Sequence, residues 1–240
     1  MRVQRSPRRG VPIGMCGCLI AALFIVVVLG IGVIFVFLRT PSLALLVAGF
    51  KPEGSTAQVF SGQPTSPPVQ LENPVSPPQA VVNLGSSGSQ ELPAQNVQTG
   101  TINGSAAATV SFSESDLMNL CVQRTTFCSN TNPQYKNVKL DLQPDGGVVY
   151  ADVTIPELGS AQTVGVALKL NSTHRQFDVM GVDVGGTLYS LPTGTLGQRV
   201  QEIAAKANEL LQVASLDVSG GVYNLSDIRI DSNSITFVMQ

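Results

Sequence analysis

The sequence predicts an α+β fold: a mostly antiparallel sheet packed on a long amphipathic helix, carried behind one transmembrane helix and a disordered linker. Three observations predict it. Residues 16–38 read CGCLIAALFIVVVLGIGVIFVFL without a charge. Between Val138 and Val182 apolar residues recur at every second position between turn residues, the period of half-buried strands. From Leu196 onward the spacing becomes helical, with charges on the opposite side.

The apolar run comes first. At a rise of ~1.5 Å per residue it forms a helix about 35 Å long, enough to cross a hydrocarbon core of ~30 Å. Arg2, Arg5, Arg8 and Arg9 crowd the tail in front of it (residues 1–15), while only Arg39 and Lys51 follow closely. That asymmetry predicts a single-pass cell-membrane protein with its N-terminus in the cytoplasm and its bulk outside. A cleaved signal peptide is the competing reading, with Ala44 and Ala48 as late cleavage residues. A signal peptide's apolar region is shorter, at roughly 7–15 residues. Cys16 and Cys18 sit before the run, whereas a lipidated cysteine would follow it. Pro41 breaks the juxtamembrane segment 39–51, whose residues 43–50 are too few to cross again.

Residues 52–106 are rich in Pro, Ser, Gly, Gln and Asn, and SPPVQ at Ser66 recurs loosely as SPPQA at Ser76. Such a composition buries too little apolar area to offset ordering entropy. It predicts a spacer whose ends lie ~40 Å apart as a flexible coil.

The folded domain is expected over 107–240. A strand, AATVSF, leads into a helix whose N-cap is Ser113, with Asp116 at the third helical position, close to a capping box. Phe112 and Leu117 are placed to form the hydrophobic staple. Leu117, Leu120 and Cys121 line one face, and the helix should end near Gln123. Cys121 and Cys128 stand seven apart at the start of a loop. They form either a disulfide, in the oxidising space outside the membrane, or a buried thiol with an incidental second one. Val138, Leu140 and Leu142 begin the meander, and Pro144-Asp145-Gly146-Gly147 turns it. Val149, Ala151, Val153 and Ile155 line the next strand. Val164, Val166, Leu168 and Leu170 line the third, with Gly165 and Ala167 on its other face, small enough to admit a helix or a ligand. Phe177, Val179 and Val182 continue the sheet. The second helix, about 196–213, buries Leu196, Val200, Ile203, Ala204, Ala207, Leu210 and Leu211. Leu225, Ile228 and Ile230, then Ile235, Phe237 and Met239, form a closing hairpin around the turn at Asp231.

The chain carries a net charge of −2, and only 12% of its residues are charged. No basic surface follows Val110, which argues against a nucleic-acid partner. No nucleophile–base pair, phosphate loop or metal-ligand spacing stands out, so neither enzymatic activity nor a cofactor or metal is expected. His174, the lone histidine, reads as an exposed turn residue. Asn103, Asn171 and Asn224 open glycosylation acceptor patterns that matter only where the machinery exists.

Three stretches of the domain resemble the YpmS-like and LmeA-like envelope proteins, membrane-anchored or exported domains related to the TULIP lipid-binding fold. They are FSESDLMNL after a strand, the meander VKLDLQPDGGVVYADVTI with VGVALKL, and LYSLPTGTLGQRVQEIAAKANELL before LSDIRIDSNSITFVM. The anchor in front fits as well. The resemblance implies a curved sheet around a long helix, with an apolar groove able to hold an acyl chain. Leu117, Leu120, Val164, Val166, Leu168, Val200, Ile203, Ala207 and Leu210 would line that groove. The same residues are what a sheet-on-helix core requires. A lipid-binding domain and an envelope protein-interaction module with a solid core therefore stand as alternatives.

Overall fold

A computed structural model describes residues 51–62, 69–83, 89–92, 96–124, 128, 135–155, 160–191, 195–218 and 221–240. The span read at 16–38 lies outside them. Among the described residues no helix is long and apolar enough to cross a membrane.

In chain order the elements are β1 (Pro52–Ser55), α1 (Thr56–Val59), β2 (Glu72–Val75), β3 (Ala80–Asn83), β4 (Ser89–Leu92), β5 (Val97–Ile102), β6 (Ser105–Ser113) and α2 (Glu114–Arg124). Then come β7 (Tyr135–Gln143), β8 (Gly146–Ile155), β9 (Ser160–Leu170), β10 (Phe177–Val184), β11 (Thr187–Tyr189), α3 (Thr195–Gln212), β12 (Ser215–Val218), β13 (Gly221–Ile230) and β14 (Ser234–Met239). The pairings are antiparallel throughout, as the alternating pattern predicts. They build two sheets where one was expected: six strands in the order β1-β11-β10-β9-β8-β7, and eight in the order β2-β5-β6-β14-β13-β12-β3-β4.

The largest correction concerns residues 52–106, expected to be a disordered linker. They supply β1 to β5 and start β6. Composition misled because these strands need no core of their own. Each adds to a neighbouring strand, where the ladder satisfies its backbone; β1 and β2 are exposed along their length, and only β3 and β5 are seen to send side chains into the core. Ala80, Val82 and Val97 are buried. The folded body thus begins well before Ala107. The β5–β6 hairpin turns on Asn103-Gly104, both at positive φ (51° and 77°), the dipeptide that two-residue hairpins favour.

Local chemistry elsewhere follows the sequence. Ser113 Oγ accepts from the Asp116 amide at 3.2 Å, and Asp116 Oδ2 accepts from the Ser113 amide at 3.0 Å. That reciprocal pair sets the start of α2. Phe112 and Leu117 are both buried in the main core. Helix α2 packs on β6 and β7, one strand of each sheet, while α3 packs on β10. On α3, Val200, Ala204, Ala207 and Leu211 are buried, while Glu202, Lys206 and Glu209 are exposed. The inner faces of both sheets meet with these helices in one apolar core.

Candidate functional site

The residues assigned to an apolar groove come together, but as interior. Leu117 (1% exposed), Val164 (6%), Val166 (2%), Leu168 (4%), Val200 (3%) and Ala207 (2%) belong to one buried cluster, with Leu120 packed partly buried against it. Side chains lining an empty cavity keep accessible surface, and these keep almost none. Ile203 and Leu210 lie on α3, and their side chains fall outside the described residues. Cys121 and Cys128 are joined by a disulfide with Cα atoms 5.6 Å apart, and both are buried in the same core. The bridge holds Cys128 against that helix.

The small-residue face of β9 is also occupied. A Cβ added at Gly165 would meet the Tyr150 ring and a Val148 methyl at 2.7 Å. Ala167 packs in a second buried cluster with Phe60, Val148 and Leu188. The cover comes from the chain's own N-terminal part, including the short helix α1. Residues 51–62 strap across it. Lys169 Nζ donates to the Val59 carbonyl at 3.0 Å. The Thr56 hydroxyl donates to the buried Asp183 carboxylate, which also accepts from the Gly186 amide at 3.1 Å.

A different site lies where the β9–β10 turn meets β13. There a cleft of about 490 Å³ is lined by Ser172, Thr173 and His174 of the turn and by Ser226, Asp227 and Arg229 of β13. Gln240, Val238, Ile102 and Val69 complete its walls. The turn is built by Asn171. Its Oδ1 accepts from the Thr173 amide (3.2 Å) and hydroxyl (2.8 Å), and its carbonyl accepts from the His174 amide at 3.0 Å. His174 takes φ 52° and turns its carbonyl to the Ile228 amide at 2.7 Å, fastening the turn to β13.

On β13 the pairing with β14 slips between Leu225 and Asp227, a β-bulge. The inward side chains are Leu225, Ile228 and Ile230, so the bulge leaves Ser226, Asp227 and Arg229 together on the outer side. Arg229 Nε and Nη2 donate to Asp227 Oδ2 at 2.6 and 2.5 Å. His174 Nδ1 lies 3.6 Å from Asp227 Oδ1, close enough for an ion pair when the imidazole is protonated but beyond a hydrogen bond. The imidazole is 17% exposed, so the expectation of an exposed turn histidine is corrected. It is on the turn, but the bulged strand covers it.

Two hydroxyls here already donate within the protein. Thr173 gives its proton to Asn171 Oδ1, and Ser226 gives its proton to the Val238 carbonyl at 3.0 Å. Neither hydroxyl is therefore donated to the imidazole, and a serine–histidine–aspartate relay is not assembled from them. What the cleft offers is a mixed set of fixed donors and acceptors. Among the described residues no group of His, Cys, Asp and Glu converges as a metal site. Of the acceptor asparagines, Asn103 and Asn224 are exposed and Asn171 is half-buried within its turn.

Compared with known proteins, the chain matches no family model, no curated protein and no solved structure.

Sequence reading missed the His174–Asp227–Arg229 grouping because the histidine and the other two lie more than fifty positions apart. One signal was present: Leu225 to Ile228 is a step of three where Ile228 to Ile230 is a step of two, the trace a bulge leaves in an alternating pattern.

Proposed function

We propose that the chain is a membrane-tethered, extracytoplasmic binding module with a solid core, which meets its partners on its surface. The reading keeps the single-pass anchor at 16–38, with the N-terminus in the cytoplasm and an envelope molecule as partner. The observation that carries it is the burial of Leu117, Val164, Val166, Leu168, Val200 and Ala207 in one cluster. The Cys121–Cys128 bridge supports a compartment outside the membrane, since disulfides persist where the environment is oxidising.

In this reading the tether is short. Lys51 already accepts from the Ser190 amide at 3.0 Å, and β1 starts at Pro52. Residues 39–50 alone separate the anchor from the folded body, a reach of ~18 Å if helical and ~40 Å if fully extended. The module works close to its own membrane.

The test is native mass spectrometry of residues 51–240 exported to an oxidising compartment and incubated with membrane phospholipid. A bare protein mass is expected. A stoichiometric phospholipid adduct kept at low collision energy would overturn the solid-core reading in favour of the lipid-holding one that the YpmS-like and LmeA-like resemblance implies.

A further inference from the structure

We infer that the cleft between the β9–β10 turn and the β13 bulge is a binding site for an uncharged, hydroxyl-rich ligand, a saccharide of one or two rings. The inference rests on the reading of the chain as a binding module and names the ligand class that its surface site takes.

Charge comes first. Asp227 and Arg229 are clasped at 2.5 to 2.6 Å, so the two opposite charges largely cancel at a distance. A phosphate or carboxylate would have to compete with Asp227 for the guanidinium, and a cation would have to compete with Arg229 for the carboxylate. A neutral polar ligand displaces neither, and it can bond to the outer lone pairs of the carboxylate.

Hydrogen-bond capacity comes second. The protons of Thr173 and Ser226 are already donated within the protein, so what each hydroxyl has left to offer at the cleft is acceptor capacity. Asp227 is also an acceptor, while the Gln240 amide both donates and accepts. A sugar hydroxyl does both as well, and a set of mixed acceptors and donors matches it better than it matches a purely accepting anion.

Shape and rigidity come third. The volume of about 490 Å³ falls low in the ~300–1,000 Å³ range of small-ligand sites. Val69 and Ile102, both partly exposed, give an apolar wall for the C–H face of a sugar ring. The polar groups stand on fixed backbone: the turn is closed by Asn171, the His174 carbonyl is bonded to Ile228, and Arg175 Nη2 donates to the Leu225 carbonyl at 2.5 Å. Such a site needs little ordering on binding.

The experiment uses the full chain in phospholipid nanodiscs, with saturation-transfer NMR and calorimetry. The probes are a β-1,4-linked N-acetylglucosamine disaccharide, maltose, and inorganic phosphate. Saturable binding of at least one saccharide is expected, with phosphate silent. Asp227→Asn should weaken it about tenfold, the scale of a lost charged hydrogen bond. Because Asp227 also holds Arg229, the surface variant Ser172→Ala/Gln240→Ala is run beside it. It leaves those ties intact and is expected to weaken binding as well, with an unchanged melting temperature. Phosphate binding alone, no binding of either saccharide, or saccharide binding indifferent to both variants would each overturn the inference. A phospholipid adduct in the preceding mass measurement would instead strike the solid-core reading, so the two failures are told apart.

Discussion

Asn208 bonds the backbone of Phe177 in both directions: its Oδ1 accepts from the Phe177 amide at 2.9 Å, and its Nδ2 donates to the Phe177 carbonyl at 2.9 Å. Strand β11 pairs with β10 only from Val182 to Val184, so among the described residues the start of β10 has no strand on that side. One carboxamide from α3 takes the place of the absent strand and fixes the helix on the sheet. Asn208→Ala removes both bonds from a half-buried backbone. The expected loss is about 2–3 kcal/mol, measured by urea denaturation. Asn208→Asp keeps the acceptor alone and should lie between.

The cap of α2 carries an acid dependence. The Ser113 amide and then its hydroxyl hold the Asp116 carboxyl below its ordinary value of 3.8. A lowered folded-state value means stability that is complete above the unfolded value and lost as pH falls through the folded one. Asp152 behaves alike, held down by the Thr163 hydroxyl and then by Asn137. Asp116→Asn should therefore be less stable than the parent at neutral pH, with the gap closing as pH falls below about 4. Ser113→Ala should cost about 1 kcal/mol at pH 7.

The strap face carries the opposite dependence. Burial, then the negative charges of Asp183 and Asp141, push the Tyr150 hydroxyl from 10.0 up to about 12. A raised value means stability that is present below the unfolded pKa and lost as pH rises through the folded one. The parent should lose stability between pH 10 and 12. Tyr150→Phe cannot ionise and should lose less over that window. Equal slopes for the two in alkaline denaturation would count against the assignment.

The domain boundary is testable by truncation. A chain starting at Ala107 lacks β1, β3 and β5, the partners of β11, β12 and β6, and exposes the cluster that Phe60 covers. It should aggregate or melt broadly, while a chain starting at Lys51 melts cooperatively. Within the longer chain, Phe60→Ala should cost about 3 kcal/mol. Gly165→Ala should cost about 1–3 kcal/mol through its clash with Tyr150.

Much of the fold from residue 107 onward was legible. The Ser113–Asp116 cap, the meander around Pro144-Asp145, the second helix and the closing hairpin are local patterns, and local patterns are written in neighbouring residues. The strands before 107 were not legible. β3 has Ala80, Val81 and Val82 in a stretch of prolines and serines, and its reason to be a strand is the edge of β12, more than a hundred residues away. The same holds for the cleft, where His174 reads as a turn residue until β13 folds against it.

By itself the sequence determined the period of each long element, the helix cap, the turns and the apolar run at 16–38. These depend on steric and hydrogen-bonding preferences that act within a few residues. Only the tertiary structure decided that there are two sheets, that Phe60 closes the face of Gly165 and Ala167, and that Asp227 stands between Arg229 and His174. Those outcomes depend on which edges and surfaces meet. Backbone groups on a strand edge bond with any suitably placed partner, so the choice between partners is made by the whole core and not by the segment.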